Sequence, residues 1–135
     1  MKNCSLVIIL SLLIVVSACK KENRLESKLE GRWELRHVIG FLPPDLQGDR
    51  PPGNGEIYTF QGNNFERQTG GKITNSGTFS VSNEKSNHNE KLEFKIVLDG
   101  DKYDSSIPFK MTGGKLVLHF GALATDGAIE TYARL

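Results

Sequence analysis

The sequence predicts an all-β domain, built as an eight-stranded up-and-down antiparallel barrel without a C-terminal helix. Three observations support this fold class. After residue 31 apolar and polar side chains alternate with a period of two, clusters of Gly, Asn and Asp separate the alternating runs, and no helical period lasts for three turns. A β-sandwich is the alternative, because alternation alone does not show that the sheet closes.

The chain begins with a segment that predicts export. Lys2 precedes an apolar run at 6–16, and small residues follow at 17–18. A basic start, a short apolar centre and a small-residue end are typical of a secretory signal peptide. As a helix this run would reach about 17 Å, whereas the hydrocarbon core of a bilayer is about 30 Å thick. We therefore expect a cleaved signal peptide over 1–18 rather than a transmembrane anchor.

The residues Val16-Ser17-Ala18-Cys19 resemble the lipobox of bacterial lipoproteins. The resemblance implies that Cys19 becomes the first mature residue and carries acyl chains such as palmitate, which at about 0.8 kcal/mol per buried methylene hold a protein on a membrane. It also implies a place in the bacterial cell envelope, at the outer membrane, on a side that the sequence does not fix. Cys4 leaves with the leader, so no thiol remains for a disulfide.

The mature chain is expected to be one domain with balanced charge. The sequence has 135 residues with 17 Lys and Arg against 16 Asp and Glu, and removing residues 1–18 removes one basic residue, which leaves 16 of each. This balance disfavours nucleic acid as a partner, because binding to phosphates relies on a positive field. Residues 19–30 are predicted to be a charged tether in which Leu25 and Leu29, one helical turn apart, could cap the domain formed by 31–135.

Eight alternating runs follow the tether, each bounded by turn residues. The first has Trp33 and Leu35 on one face and charged residues on the other, which is typical of a strand with one face on a core and the other in water. The predicted strands are 31–38, 56–61, 65–69, 72–82, 91–98, 103–111, 115–121 and 128–134.

The first loop, at 39–55, is too long to be a tight turn. Its two Pro-Pro pairs cannot donate to a strand ladder. We expect it to fold Phe41, Leu42 and Leu46 over the mouth of the barrel, either as a lid on a ligand or as a plug made of the barrel's own apolar residues. On a regular first strand His37 is expected to face inward and to be the polar group nearest the mouth.

The motif Gly31-Arg32-Trp33 resembles the Gly-x-Trp signature of the lipocalins and wider calycins. In that family the Trp closes the bottom of the barrel and an Arg late in the last strand packs across its indole. Arg134 stands at that place here, and the long first loop is similar to the lipocalin lid. The resemblance covers residues 25–135. It implies a compact bacterial lipocalin-like lipoprotein with Gly31, Trp33 and Arg134 as its structural signature.

An inward Arg134 has a consequence for the rest of the last strand. With a period of two it also turns Glu130 and Tyr132 inward and sends Ile129 outward. This is the reverse of what hydrophobicity alone indicates. We nevertheless expect Arg134 to face inward.

Few residues offer catalytic or metal-binding chemistry. The histidines His37, His88 and His119 have no metal-like spacing, and the run 99–104 lacks the Gly and Glu that a calcium loop requires. Ser76 has neither a nucleophile-elbow context nor an assignable base. We therefore expect no enzyme, no catalytic residue, no metal and no cofactor.

Apolar side chains dominate the predicted inward face, and an eight-stranded barrel is just wide enough to be filled by side chains or to hold one small ligand. The sequence predicts a membrane-anchored module that binds a small apolar molecule. The alternative is a filled barrel that binds another envelope protein. The residues predicted to line a pocket are His37, Phe41, Leu42, Leu46, Tyr58, Phe94 and Phe120.

Overall fold

The computed structural model describes residues 22–82, 94–100, 106–121 and 126–135. Within them one α-helix, α1 (Glu22–Leu29), precedes nine strands, and a short 3₁₀ turn, Pro44–Leu46, lies in the first loop. The strands are β1 (Gly31–Gly40), β2 (Gly48–Asp49), β3 (Ile57–Gln61), β4 (Asn64–Thr69), β5 (Lys72–Ser82), β6 (Phe94–Asp99), β7 (Ser106–Thr112), β8 (Lys115–Phe120) and β9 (Ala128–Arg134).

Eight of these strands close into an antiparallel barrel. Strands β3 to β9 pair in sequence order, and β1 pairs with β3 on one side and with β9 on the other. β2 is a two-residue addition beside the end of β1. The predicted barrel is therefore confirmed, and the sandwich is ruled out because one continuous ladder of strands returns to its start.

The observed strands occupy the eight predicted runs. β1 continues two residues further than predicted, to Gly40, while the predicted strand starts at 91–93 and 103–105 lie outside the described residues. The two-residue turn Gly113-Gly114 has φ values of +56° and +73°, as a tight hairpin between right-twisted strands requires. Glycine meets this requirement without steric cost, so the Gly-Gly pairs at these turns fix the register of the hairpins.

One apolar cluster lines the barrel interior, and every barrel strand contributes to it. Trp33 and Leu116 are fully buried, and each large apolar side chain contributes about 1.5–3 kcal/mol by leaving water. The cluster consists of Leu29, Trp33, Leu35, Val38, Tyr58, Phe60, Phe65, Phe79, Val81, Ile96, Leu98, Ile107, Phe109, Leu116, Leu118 and Tyr132.

The directions of the strands define two ends of the barrel. β1 starts where α1 ends, and the turns at 62–63 and 113–114 lie at this same end, which we call the helix end. β1 finishes at the opposite end, where the first loop leaves it and where the turn at 70–71 lies. We call this the loop end.

The helix α1 lies inside the segment predicted as a charged tether. Leu29 is fully buried in the core cluster and Leu25 packs against that cluster, so these two residues do cap the barrel. Within the part of the chain that the structure describes, no helix has the length and apolar character needed to span a membrane.

Candidate ligand-binding site

The helix end is built around Trp33. Its indole Nε1 donates a hydrogen bond of 2.7 Å to the carbonyl oxygen of Leu29, which fixes α1 against the barrel. The guanidinium carbon of Arg134 lies 4.3 Å from the centre of the indole ring. The contact that the sequence predicts between these two side chains is therefore present, with cation–π geometry worth about 0.5–2 kcal/mol.

Arg134 also binds the end of α1. Its guanidinium donates to the carbonyl oxygen of Lys28 at 2.7 Å and to that of Glu30. These acceptors lie at the C-terminus of the helix, where carbonyl groups lack partners within the helix. Gly31 has φ of +125°, and a Cβ atom there would lie 2.6 Å from a guanidinium nitrogen of Arg134. The Gly-x-Trp pattern is thus explained by the space and the backbone conformation that this arginine needs.

Two carboxylates of the helix region complete the cap. Glu26 accepts a hydrogen bond of 3.3 Å from the backbone N–H of Val81, and Glu30 accepts one of 3.1 Å from the N–H of Gly62. Both donors belong to barrel backbone at the helix end. These acids therefore face the barrel and stabilise the docked helix.

A β-bulge in β1 changes the orientation of His37. Leu35 and His37 pair with adjacent residues of β9, which leaves Arg36 as an extra residue. The extra residue shifts the side-chain parity, so Val38 rather than His37 points into the core. The His37 side chain is 41% exposed, and its Nδ1 lies 2.7 Å from Oδ1 of Asp49. The inward position expected for His37 is wrong, because that expectation assumed a regular strand.

The second half of the first loop packs along the outer wall of β1. Glu34 faces outward yet is only 2% exposed, because the loop covers it. Its carboxylate accepts a hydrogen bond of 2.8 Å from the N–H of Gly53 and another from the guanidinium of Arg36. The side-chain amide of Asn54 donates to the carbonyl oxygen of Leu35 at 2.8 Å. These contacts and β2 hold the loop beside the barrel instead of across its mouth.

The apolar residues of the first loop differ in how far they are buried. Leu42 is half-buried and packs against the core cluster, as a lid or a plug would. Phe41 is 71% exposed and Leu46 is 48% exposed, so neither side chain belongs to the buried core. Ile39 and Ile73 are also exposed at the loop end.

The remaining residues predicted to line a pocket do not come together. Tyr58 belongs to the core cluster. Phe94 is the first residue of β6, at the helix end where β5 finishes, whereas Phe120 is the last residue of β8, at the loop end. Both phenylalanines are half-buried against the core. A single pocket lined by all seven predicted residues is therefore not what the structure contains.

The interior instead holds a polar cluster made of Tyr58, Arg67, Glu130 and Tyr132. The hydroxyl of Tyr132 donates a hydrogen bond of 2.5 Å to the carboxylate of Glu130. The rings of Tyr132 and Tyr58 meet edge to face at 5.6 Å, and the guanidinium carbon of Arg67 lies 5.5 Å from the centre of the Tyr58 ring. Three strands, β3, β4 and β9, thus direct these groups into one part of the barrel.

The charges of this polar cluster are set by burial and by each other. Burial raises the pKa of Tyr132 well above its ordinary value, and the negative charge of Glu130 raises it further, so the phenol is a neutral donor. Burial acts to lower the pKa of Arg67, but the neighbouring tyrosines and acids outweigh it and the pKa is raised. Arg67 therefore remains a cation.

Arg67 has hydrogen-bonding capacity that the described part of the protein does not use. None of the described carboxylates lies within 4.0 Å of its guanidinium nitrogens. The side chain is half-buried and shares the inward face of β4 with Phe65. Guanidinium groups bind carboxylates and other acceptors through paired N–H donors. The arrangement is therefore able to bind an acceptor group on a small molecule.

The sequence contains a weak signal for this polar cluster. Arg67 follows Phe65 by two residues, so the period of two places its side chain inward. A charged residue at such a position, however, usually indicates that the strand ends there. Glu130 is turned inward by the placement of Arg134, which the observed pairing of Trp33 with Arg134 bears out. In both strands, an even spacing from an inward-facing residue is the signal that indicates an inward side chain.

The remaining histidines, acids and cysteine form no further candidate site among the described residues, or lie outside them. No group of three or more His, Cys, Asp or Glu that could hold a metal occurs in the described ranges. His119, on the outer face of β8, is buried. Cys19, His88 and residues 101–104 lie outside the described residues.

Comparisons of the chain with protein-family models, with curated proteins and with solved structures gave no match.

Proposed function

We propose that this chain is a lipid-anchored, lipocalin-like protein of the bacterial envelope, and that its barrel binds one small molecule with an apolar body and a polar acceptor group. The observation that carries the proposal is the inward guanidinium of Arg67, which no described carboxylate approaches within 4.0 Å. Guanidinium groups bind carboxylates and other acceptors through paired N–H donors. A ligand acceptor group beside Arg67 would therefore use donors that no described carboxylate takes up.

The apolar part of the ligand would enter from the loop end. The helix end is covered by α1, whereas Leu42 and Phe120 at the loop end are half-buried and face the core cluster. A ligand body in contact with these two side chains could place its polar group beside Arg67. The small apolar molecule that the sequence predicts is therefore proposed to carry one polar acceptor group.

We propose binding rather than catalysis for the polar cluster. Arg67 remains protonated and Tyr132 remains neutral around neutral pH, because the pKa of each is raised. General acid–base catalysis needs groups whose pKa lies near the working pH. These two groups suit recognition of a ligand instead.

Native mass spectrometry of the mature protein, purified in detergent from its own membranes, tests the ligand. We expect a bound small-molecule mass in the wild type and its loss in Arg67→Gln. Arg32→Gln is the matched control, because Arg32 is an exposed arginine on the outer face of β1. A wild type without any bound mass, or equal occupancy in Arg67→Gln and wild type, would contradict the proposal.

The anchor is tested separately through Cys19. Cys19→Ser removes the thiol that the lipobox presents, so we expect an unprocessed chain with no acyl group on this residue. The mass of the N-terminal peptide of the wild type checks this directly. An unmodified Cys19 in the mature wild type would exclude the lipoprotein assignment while leaving the barrel and its ligand untouched.

A filled barrel that binds another envelope protein is the second candidate function. The observation in its favour is the exposure of Ile39, Phe41, Leu46 and Ile73 at the loop end. Large exposed apolar side chains at one end of a small domain are typical of a protein contact. A clean ligand-free mass together with crosslinks from position 41 to one partner would favour this function over the first.

A further inference from the structure

We propose that the helix end of the barrel is the surface that this protein presents to its own membrane, and that the loop end faces away from it. This inference rests on the proposed acylation of Cys19 but not on the proposed ligand. It follows from the length of the chain before α1, from the way α1 is docked and from the charges at the helix end.

The covalent distance from the lipid to the barrel is short. Only three peptide steps separate Cys19 from Glu22, the first residue of α1. At about 3.3–3.6 Å per residue, even a fully extended chain spans only about 10 Å over these steps. An acyl group on Cys19 therefore keeps the start of α1 within about 10 Å of the headgroup region.

The helix cannot act as a spacer, because it is docked on the barrel. Glu26, one turn after the start of α1, accepts a hydrogen bond from the backbone of β5, and Leu29 is fully buried. Trp33 and Arg134 bind the last turn of the helix. The start of α1 is thus fixed beside the helix end, and the lipid must be fixed there as well.

The charges at the helix end suit a lipid surface with anionic headgroups. Lys28, Arg32 and Lys115 are exposed there. The nearby acids Glu26 and Glu30 accept hydrogen bonds from barrel amides, so their carboxylates point at the protein. Basic side chains close to an anionic surface each favour binding by roughly fivefold.

The orientation has a consequence for ligand exchange. The loop end, with Leu42 and Phe120 beside the interior, would open into the aqueous compartment rather than toward the bilayer that holds the anchor. A ligand would then be received from that compartment or from a partner in it. The exposed residues Phe41 and Leu46 lie at the end that such a partner would reach.

Two cysteine variants on one strand test the orientation. Ser106→Cys and Thr112→Cys place labels on exposed residues at the loop end and the helix end of β7, about 20 Å apart along the strand. The mature chain offers no other thiol once Cys19 is acylated. Each fluorescent-labelled, acylated protein is reconstituted into vesicles that carry a short-range quencher on the lipid headgroup. We expect the label at 112 to be quenched severalfold more than the label at 106.

A spacer variant supplies the control. Twelve Gly and Ser residues inserted between Lys21 and Glu22 lengthen the flexible chain to about 20 Å root-mean-square. In vesicles of neutral lipid the quenching difference should then fall toward zero, and in vesicles with anionic lipid the basic residues should retain part of it. Equal quenching of the two labels in the unmodified tether, or stronger quenching at 106, would overturn the orientation. An unacylated chain that stays off the vesicles would remove the anchor itself, and the N-terminal peptide mass distinguishes that outcome.

Discussion

The two ends of this barrel differ in how their residues are held. At the helix end, Trp33 and Arg134 donate hydrogen bonds to backbone carbonyl groups of α1 and of the residue after it, and both donor residues lie on regular stretches of strand. At the loop end, a bulge at Arg36 reverses which residues of β1 face inward, and the first loop packs against the outer wall of the barrel. A sequence motif therefore predicts side-chain orientation well where the strand period is unbroken. Beyond a β-bulge, which adds one residue to the strand, it predicts orientation poorly.

The difference also separates stability from function. At the helix end Leu29 and Trp33 are fully buried, and the side-chain donors of Trp33 and Arg134 are paired with backbone carbonyl groups, so changes to these residues should mainly lower the free energy of unfolding. The loop end and the polar cluster contain a cation with unused donors and exposed apolar side chains, so changes there should mainly affect binding.

The largest expected effect is at the helix end. Trp33→Ala removes a fully buried ring, its hydrogen bond to α1 and the contact with Arg134, and should lower the free energy of unfolding by about 3–5 kcal/mol. Urea denaturation followed by circular dichroism measures the change. Val97→Ala is the control, since this β6 side chain is exposed, and a loss below about 1 kcal/mol for Trp33→Ala would refute the cap.

Gly31→Ala should lower the free energy of unfolding by about 1–3 kcal/mol, because alanine is strained at φ of +125° and its Cβ would meet the guanidinium of Arg134. Combining it with Arg134→Ala removes the steric part of this loss. In a double-mutant cycle the cost of Gly31→Ala should therefore be smaller when Arg134 is already alanine. Strictly additive costs would mean that the two residues do not compete for this space.

A middle-sized effect is expected where the first loop meets β1. Glu34→Ala removes the acceptor of the Gly53 N–H and one of the acceptors of the Arg36 guanidinium, and should cost about 1–3 kcal/mol. Amide hydrogen exchange in the second half of the loop should become faster. Phe41→Ala in the same loop should change stability by less than about 0.5 kcal/mol, because its side chain is exposed. Equal costs for the two variants would argue against a loop held on the outer wall.

The smallest effect concerns pH. Tyr132→Phe removes a hydrogen bond to Glu130 and should cost about 1 kcal/mol near neutral pH. Because burial raises the pKa of Tyr132, the stabilisation is fully present below the pKa of an unfolded tyrosine, about 10, and is lost as pH rises above it. Urea denaturation at several pH values measures the effect. The difference in free energy of unfolding between wild type and Tyr132→Phe should shrink between about pH 9 and pH 11, on either side of the unfolded pKa of about 10. A constant difference across this range would mean that Tyr132 ionises as it does in the unfolded chain.

The sequence predicted the barrel because the alternation of apolar and polar side chains, the Gly-Gly turns and the order of the strands along the chain depend only on local chain geometry. It also predicted the contact of Trp33 with Arg134, since both lie on regular strand segments. It missed the orientation of His37, because no residue type marks Arg36 as a bulge, and it missed the outer-wall position of the loop, because that depends on the long-range contact between Glu34 and Gly53. It did not single out Arg67, because hydrophobicity alone places a charged side chain in water.

The central claim is that the ligand binds at the polar cluster and not at the helix end. Hydrogen exchange of the mature protein, compared before and after its bound molecule is extracted on a hydrophobic resin, tests this directly. We expect faster exchange after extraction in β4 and β9 around Arg67 and Glu130, with unchanged exchange at Trp33 and in α1. Faster exchange confined to the helix end, or identical exchange everywhere after a bound mass has been removed, would contradict it.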